Sequence, residues 1–258
     1  MNITVLGAGA FGTALGRILE IKGHHVTYYS LGLPITLEQA LQGADYMLLS
    51  IPSKALNSLV PKLPTNIPLI VATKGILDLS IFQNFTTILA LSGPGFATDI
   101  NNNKPTHLTA SNPKIIELFT TDWLTFDLTD DIFGIFLCGA LKNVYAINAG
   151  LQNFKAGTDK HENYLEAVTN EMKTILDANQ ANPATVDLSC GIGDLRITCN
   201  YPSRNFEFGQ KLRENRDYKP EKTVEGVTAL QNIKRGMITI PESAIIMQKL
   251  IKESDKWA

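Results

Sequence analysis

Lys142 is the side chain whose neighbours best suit it to acid–base chemistry. It sits in Cys138-Gly139-Ala140-Leu141-Lys142-Asn143-Val144-Tyr145-Ala146, a run with no other charged residue. A lysine there snorkels to water, pairs with a carboxylate, or faces a site. In the last case desolvation lowers its pKa and makes it a base near neutral pH. Lys74 follows the apolar run Leu69-Ile70-Val71-Ala72-Thr73 and opens a turn at Gly75. An exposed loop lysine is the plain reading, but the carboxyl end of an α/β strand is also where such folds bind ligand. Asp194, in Gly191-Ile192-Gly193-Asp194-Leu195, is either a helix N-cap or the partner of a cation. Ser203-Arg204-Asn205 joins a cation to hydroxyl and amide groups, a set suited to phosphate as well as to a surface loop. Glu225, in Val224-Glu225-Gly226, suits either a sugar hydroxyl or solvent.

A second kind of chemistry is written at the N-terminus. Gly7-Ala8-Gly9-Ala10-Phe11-Gly12 follows the apolar run Ile3-Thr4-Val5-Leu6 and leads into the helical pattern Thr13–Glu20. Strand, glycine turn and helix in that order cradle a dinucleotide pyrophosphate. Gly7 allows the tight turn, Gly9 lets backbone approach the phosphates, and Gly12 lets helix pack on strand. The N–H groups at the helix start then face the anion. The alternative is a glycine-rich turn with no ligand. Gly93-Pro94-Gly95-Phe96-Ala97, after another strand pattern, offers further backbone N–H groups or is simply a turn.

These residues need a scaffold, and the periodicity supplies one. Strand patterns fall at the N-terminus, Val26–Tyr29, Tyr46–Ile51, Leu69–Thr73, Thr87–Ser92, Thr106–Ala110 and Phe126–Leu128, with helical or turn segments between them. That alternation predicts an α/β, Rossmann-like, doubly wound and mostly parallel sheet. The loops after the fourth and fifth strands then lie at the carboxyl edge beside the glycine turn. Near Asp130-Asp131 the character changes. Ile132 to Leu151 is a long apolar run, and Leu165, Val168, Met172, Ile175 and Leu176 recur near helical spacing. We therefore expect a nucleotide-binding domain over 1–131 and a helical substrate and catalytic domain over 132–258.

Bulk composition narrows the function classes. Lys and Arg number 23 against 25 Asp and Glu, a net charge of −2, which disfavours a general nucleic-acid binder. Cys138, Cys190 and Cys199 have no metal-type spacing and fit a reducing compartment. The chain opens on a strand pattern rather than a signal peptide. Charges interrupt every long apolar run before the roughly 18 residues of a membrane span. The expectation is a cytoplasmic protein with no metal and no membrane insertion.

Taken together, the motifs resemble NAD(P)-dependent glycerol-3-phosphate dehydrogenase of the bacterial type. The matching residues are Gly7 to Leu15, Ala72-Thr73-Lys74-Gly75, Ser92 to Ala97, Gly139 to Val144, Gly193-Asp194-Leu195, Thr198-Cys199, Ser203-Arg204-Asn205 with Phe208-Gly209, and Val224-Glu225-Gly226. The resemblance implies an all-α C-terminal domain of the 6-phosphogluconate dehydrogenase C-terminal-like class. It implies interconversion of sn-glycerol 3-phosphate and dihydroxyacetone phosphate, feeding glycerophospholipid synthesis. By resemblance, Lys142 accepts the alcohol proton. Lys74 polarises the carbonyl and helps hold cofactor and substrate, and Asp194 orients the lysine or the substrate hydroxyls. Gly93, Gly95, Ser203, Arg204 and Asn205 contact substrate. Gly7, Gly9, Ala10, Phe11, Gly12, Ala97, Arg204, Val224 and Glu225 contact the cofactor.

The chain also departs from the family pattern. Gly95 stands where Ser or Thr is usual, Ala10 replaces a more polar residue, a Thr-Arg-Gly motif is missing between Tyr164 and Met172, and the segment from Tyr29 to Thr36 is short. NAD and NADP both stay open as cofactors, because Ser30 after the second strand carries neither an acid nor an arginine. A homodimer stays open too. The alternatives are a related β-hydroxyacid-type dehydrogenase and a reduced, inactive NAD(P)-binding protein.

Overall fold

The computed structural model describes residues 1–200, 203–254 and 257. It forms two compact units, one of residues 1–73 and 79–132, the other of residues 74–78 and 133–258. The short segment Lys74–Asp78 therefore clusters with the second unit although the strand before it belongs to the first.

The first unit is built on a seven-stranded sheet: β1 (Asn2–Leu6), β2 (His25–Tyr29), β3 (Tyr46–Leu49), β4 (Leu69–Val71), β5 (Ile88–Ser92), β6 (Thr106–Ala110) and β7 (Leu124–Leu128). The strand order is β2-β1-β3-β4-β5-β6-β7. The expected Rossmann-like doubly wound sheet is present, with its topological switch between β1 and β3. Pairing is parallel everywhere except between β5 and β6, where Leu91 opposes Ala110 and Ser92 opposes Thr109 in antiparallel register. Several strands differ from the sequence patterns at their ends. β3 and β4 stop at Leu49 and Val71, and β7 begins two residues earlier, at Leu124, because ladder pairing rather than residue type sets a strand's limit.

Helices α1 (Ala10–Ile21), α2 (Leu37–Leu41), α3 (Leu56–Leu59), α4 (Ala97–Asn101) and α5 (Pro113–Phe119) complete this unit. Successive strand residues point to opposite faces. Ile3 and Val5 of β1 join Leu15, Ile18 and Leu19 of α1, with Ile100, Ile115 and Phe119, in one core. Thr4, between them, points the other way and donates its hydroxyl to the Ala40 carbonyl of α2 at 2.5 Å. Because both faces are covered, the central strands read as continuous apolar runs. Thr36 closes a capping box on α2 with Gln39, and Asn112 caps α5 ahead of Pro113.

The second unit is helical: α6 (Ile132–Gln152), α7 (Asp159–Ala178), α8 (Asp194–Thr198), α9 (Arg204–Glu214), α10 (Glu225–Lys234) and α11 (Ile245–Glu253). α6 is long and apolar enough to cross a membrane by composition, despite Lys142, yet its most apolar 18-residue window is 89% buried in the protein. It is a core helix, apolar around its whole circumference because neighbours surround it. Gly150 of α6 and Gly209 of α9 let the two backbones touch. A Cβ on Gly150 would overlap the Phe206 carbonyl, and one on Gly209 would overlap the Ile147 carbonyl. α7 is amphipathic and buries Leu165, Val168, Met172, Ile175 and Leu176. Its Glu171 carboxylate accepts from Tyr145 Oη at 3.0 Å and from the Ile246 and Met247 amides at 2.6 and 3.1 Å, fixing the start of α11.

Candidate functional site

Lys142 does not snorkel. Only 2% of its side chain is exposed, and its ammonium pairs with the Asp194 carboxylate, itself 1% exposed. Lys74 Nζ lies 3.8 Å from the same Asp194 Oδ2 and keeps 32% exposure. Three residues widely separated in sequence thus form one cluster within the second unit: two ammonium groups around one carboxylate. Each is delivered by its own element. Lys142 lies midway along the rigid α6, Lys74 follows the end of β4, and Asp194 opens α8. A single turn of π-helix, Ser189–Gly193, leads into Asp194, and such turns recur at functional sites. Gly193 is the N-cap of α8, so Asp194 is not the cap, and its side chain is free to serve the lysines. Thr198, one turn on, donates its hydroxyl to Asp194 Oδ1 at 3.3 Å and holds the carboxylate's rotamer.

The electrostatics follow from that packing. Burial lowers the Lys142 pKa from 10.5 to about 8, Asp194 opposes the shift, and the Lys74 charge adds to it. At pH 7 about one Lys142 in ten would then be neutral, against roughly one in 3,000 for an unperturbed lysine. The cluster therefore holds an amine able both to take and to return a proton near neutrality.

The residues around Arg204 divide by exposure. Arg204 is exposed at the start of α9. Ser203 is buried and caps that helix, accepting from the Phe206 amide at 3.5 Å. Asn205 is also buried, and its side chain makes two bonds within the protein: Nδ2 donates to Asn143 Oδ1 at 2.9 Å, and Oδ1 accepts from the Gly226 amide at 2.9 Å. Asn143, next to Lys142 in sequence, donates in turn to the Gly139 carbonyl at 3.0 Å. Asn205 thus ties α9 to α6 and to the start of α10, where Val224 is the N-cap and Glu225 the first residue. Neither Thr198 nor Asn143 is assigned a role by the residue pattern alone. Thr198 lies four residues after Asp194 and so on the same helix face, which was a usable signal. The Asn143–Asn205 pairing, 62 residues apart, had none.

The glycine turn belongs to the first unit. Gly7 has φ +112°, and a Cβ there would overlap the Ser50 carbonyl. A Cβ on Gly12 would overlap the Gly7 carbonyl, whereas one on Gly9 would meet nothing within 4 Å. Two of the glycines are therefore demanded by packing, and the third faces open space. Gly9 caps α1 without a side-chain hydrogen bond, and the first turn holds no acidic residue. Ala10 is exposed and Phe11 half-buried beside it. The Gly93–Ala97 loop adjoins this turn, since a Cβ on Gly95 would come 3.7 Å from the Phe11 ring. Gly93 has φ +142° and lies against Leu108, and Ala97 opens α4. Open space at Gly9, an uncapped helix N-terminus and no nearby acid fit a dinucleotide pyrophosphate.

Comparison with known proteins agrees with both halves. The family model described as NAD-dependent glycerol-3-phosphate dehydrogenase C-terminus matches residues 131–252, and its N-terminus counterpart matches residues 29–115. A glycerol-3-phosphate dehydrogenase [NAD(P)+] of Acaryochloris marina is 30% identical over 237 residues, covering 83% of this chain and 76% of that protein. The protein of the same name from Maridesulfovibrio salexigens is 28% identical and covers 99% and 95%. In fold, the glycerol-3-phosphate dehydrogenase of Coxiella burnetii superposes with a TM-score of 0.83 at 23% identity, over 98% of this chain and 95% of that one. With an ordered set of motifs, a doubly wound sheet followed by a helical unit, and relatives of this similarity, the chain belongs to the NAD(P)-dependent glycerol-3-phosphate dehydrogenase family.

Proposed function

We propose that this protein interconverts glycerol 3-phosphate and dihydroxyacetone phosphate with a nicotinamide cofactor, using Lys142 as the proton acceptor. The observation that carries the reading is the buried Lys142–Asp194 pair with Lys74 beside it. Oxidation of a secondary alcohol must dispose of one hydride and one proton. A bound nicotinamide would supply the hydride acceptor for C2, or the donor in the reverse direction. Neutral Lys142 Nζ takes the hydroxyl proton as the C2–O bond becomes a carbonyl. In reduction the same group, protonated, gives the proton back.

Lys74 and Asp194 act on that amine and on the reacting oxygen. The Lys74 ammonium, the more exposed of the two, stabilises negative charge developing on oxygen. Asp194 orients Lys142 and keeps it basic. Arg204 supplies a cation for the substrate phosphate. Ser203 and Asn205 support it indirectly, by capping α9 and tying it to α6. In the first unit, Gly7, Gly9, Ala10, Phe11, Gly12 and Ala97 hold the dinucleotide.

The direct experiment is oxidation of NADH and NADPH by the purified chain with dihydroxyacetone phosphate, run beside 6-phosphogluconate and 3-hydroxy acids in the oxidative direction. Turnover confined to the triose phosphate pair supports the reading. Turnover of a 3-hydroxy acid alone overturns it.

The glycine turn yields a separate prediction. Gly9→Ala should leave stability within about 0.5 kcal/mol of wild type, because open space receives the methyl group, yet weaken NADH binding at least tenfold. Gly12→Ala should destabilise the fold by about 1–3 kcal/mol through overpacking against the Gly7 carbonyl. Thermal melts and calorimetric NADH titrations distinguish the two. Wild-type affinity in Gly9→Ala would show that no pyrophosphate approaches there.

A further inference from the structure

We infer that the turn after β2 makes the protein select NADH over NADPH, with Ser30 as the specificity-determining residue. The inference rests on the dehydrogenase reading above and deepens it. Tyr29 ends β2, and its carbonyl accepts the Gly7 amide at 2.8 Å, so the glycine turn and Ser30 start level at the carboxyl edge of adjacent strands. In doubly wound folds this is where the adenosine ribose is read, by an acid for a free 2′-hydroxyl or by an arginine for a 2′-phosphate.

Here the reader is a short neutral turn. The Leu33 amide donates to the Ser30 carbonyl at 3.1 Å, and Gly32 takes φ +95° to close it. The tip presents Leu31, 96% exposed, an apolar surface unsuited to a dianion. No residue from Ser30 to Thr36 is charged, and Glu38 in the first turn of α2 is an acid. Arg17, on α1, has its guanidinium engaged with Asn103 Oδ1 at 3.0 Å. Lys54, exposed in the Ser53–Ala55 turn after β3, is a cation on a neighbouring loop of the same edge, and it is the residue a rival account would use. The Ser30 hydroxyl can exchange hydrogen bonds with a 2′-hydroxyl. A 2′-phosphate, by contrast, needs charge-assisted donors that this turn lacks.

Calorimetric titration of the full-length protein with NADH and with NADPH tests the inference without requiring turnover. Wild type should bind NADH at least tenfold more tightly. Ser30→Arg should weaken NADH binding and tighten NADPH binding, shifting the NADH-to-NADPH preference at least tenfold toward NADPH, while Lys54→Ala should leave the wild-type preference intact. Equal or tighter NADPH binding by wild type overturns the inference alone, as does a Ser30→Arg protein with unchanged preference. Failure of both nucleotides to bind overturns it together with the dehydrogenase reading.

Discussion

Replacing Lys142 by Met should lower kcat for dihydroxyacetone phosphate reduction by about 100- to 10,000-fold, the range for loss of a general acid–base group, with the protein still folded. Met matches the lysine stem in volume and is at home in the apolar interior of α6. Asp194 would retain Lys74 as a counter-charge at 3.8 Å. The lysine itself is held against its solvation preference. Its folded pKa, about 8, lies below the unfolded value of 10.5, so the unfolded chain binds the extra proton between those limits, and stability rises with pH across that window. Below pH 8 the whole penalty, about 3 kcal/mol, is present. Removing Lys142 removes that penalty but leaves Asp194 buried with Lys74 at 3.8 Å as its counter-charge, so a thermal melt beside the kinetics separates lost chemistry from lost fold. Lys142→Arg separates charge from proton transfer: a guanidinium can keep the pair with Asp194 but does not deprotonate. Both variants should show that loss, and wild-type turnover in either would show that Lys142 is not the proton carrier.

Asp194→Asn should have the second-largest effect, and through a different route. It leaves two lysines without their shared carboxylate in a site where Lys142 is 2% exposed. Breaking a buried pair by removing one partner costs about 3–5 kcal/mol, so the melting temperature should fall clearly. Among the described residues, Asp194 is the neighbour that holds the Lys142 pKa up against burial and against Lys74. Its loss must therefore move the Lys142 pKa further below 8. The rate should fall as the amine loses its orientation, and the basic limb of the pH profile for reduction should move to lower pH. A merely structural role would reduce active protein without moving that limb, so a slower enzyme with an unchanged profile would contradict the assignment.

The two ends of this account were unequally visible in the sequence. The glycine turn was legible because its chemistry is local: strand, turn and helix follow one another within Asn2–Ile21. Lys142 was conspicuous for the same reason, as the one charge in an apolar run. What neighbouring residues could not reveal was its partner. Snorkelling and pairing predict the same local sequence, and only the long-range fold, which brings Asp194 and Lys74 to it, decides between them. The antiparallel junction of β5 and β6 was hidden because strand patterns carry no direction. Asn205 shows another limit of local reading: its amide reads as a substrate contact, and no nearby residue signals that it also bonds Asn143 and the Gly226 amide.

The pH dependence of kcat/KM in both directions, with the wild-type protein, decides whether Lys142 carries the proton. If Lys142 carries the proton, glycerol 3-phosphate oxidation should rise with pH as the amine deprotonates and level off above about 8. Dihydroxyacetone phosphate reduction should fall through the same midpoint, because it needs the protonated form. Mirror-image profiles sharing one apparent pKa near 8 are the predicted result. Profiles flat across pH 7 to 9.5 in both directions would contradict the account.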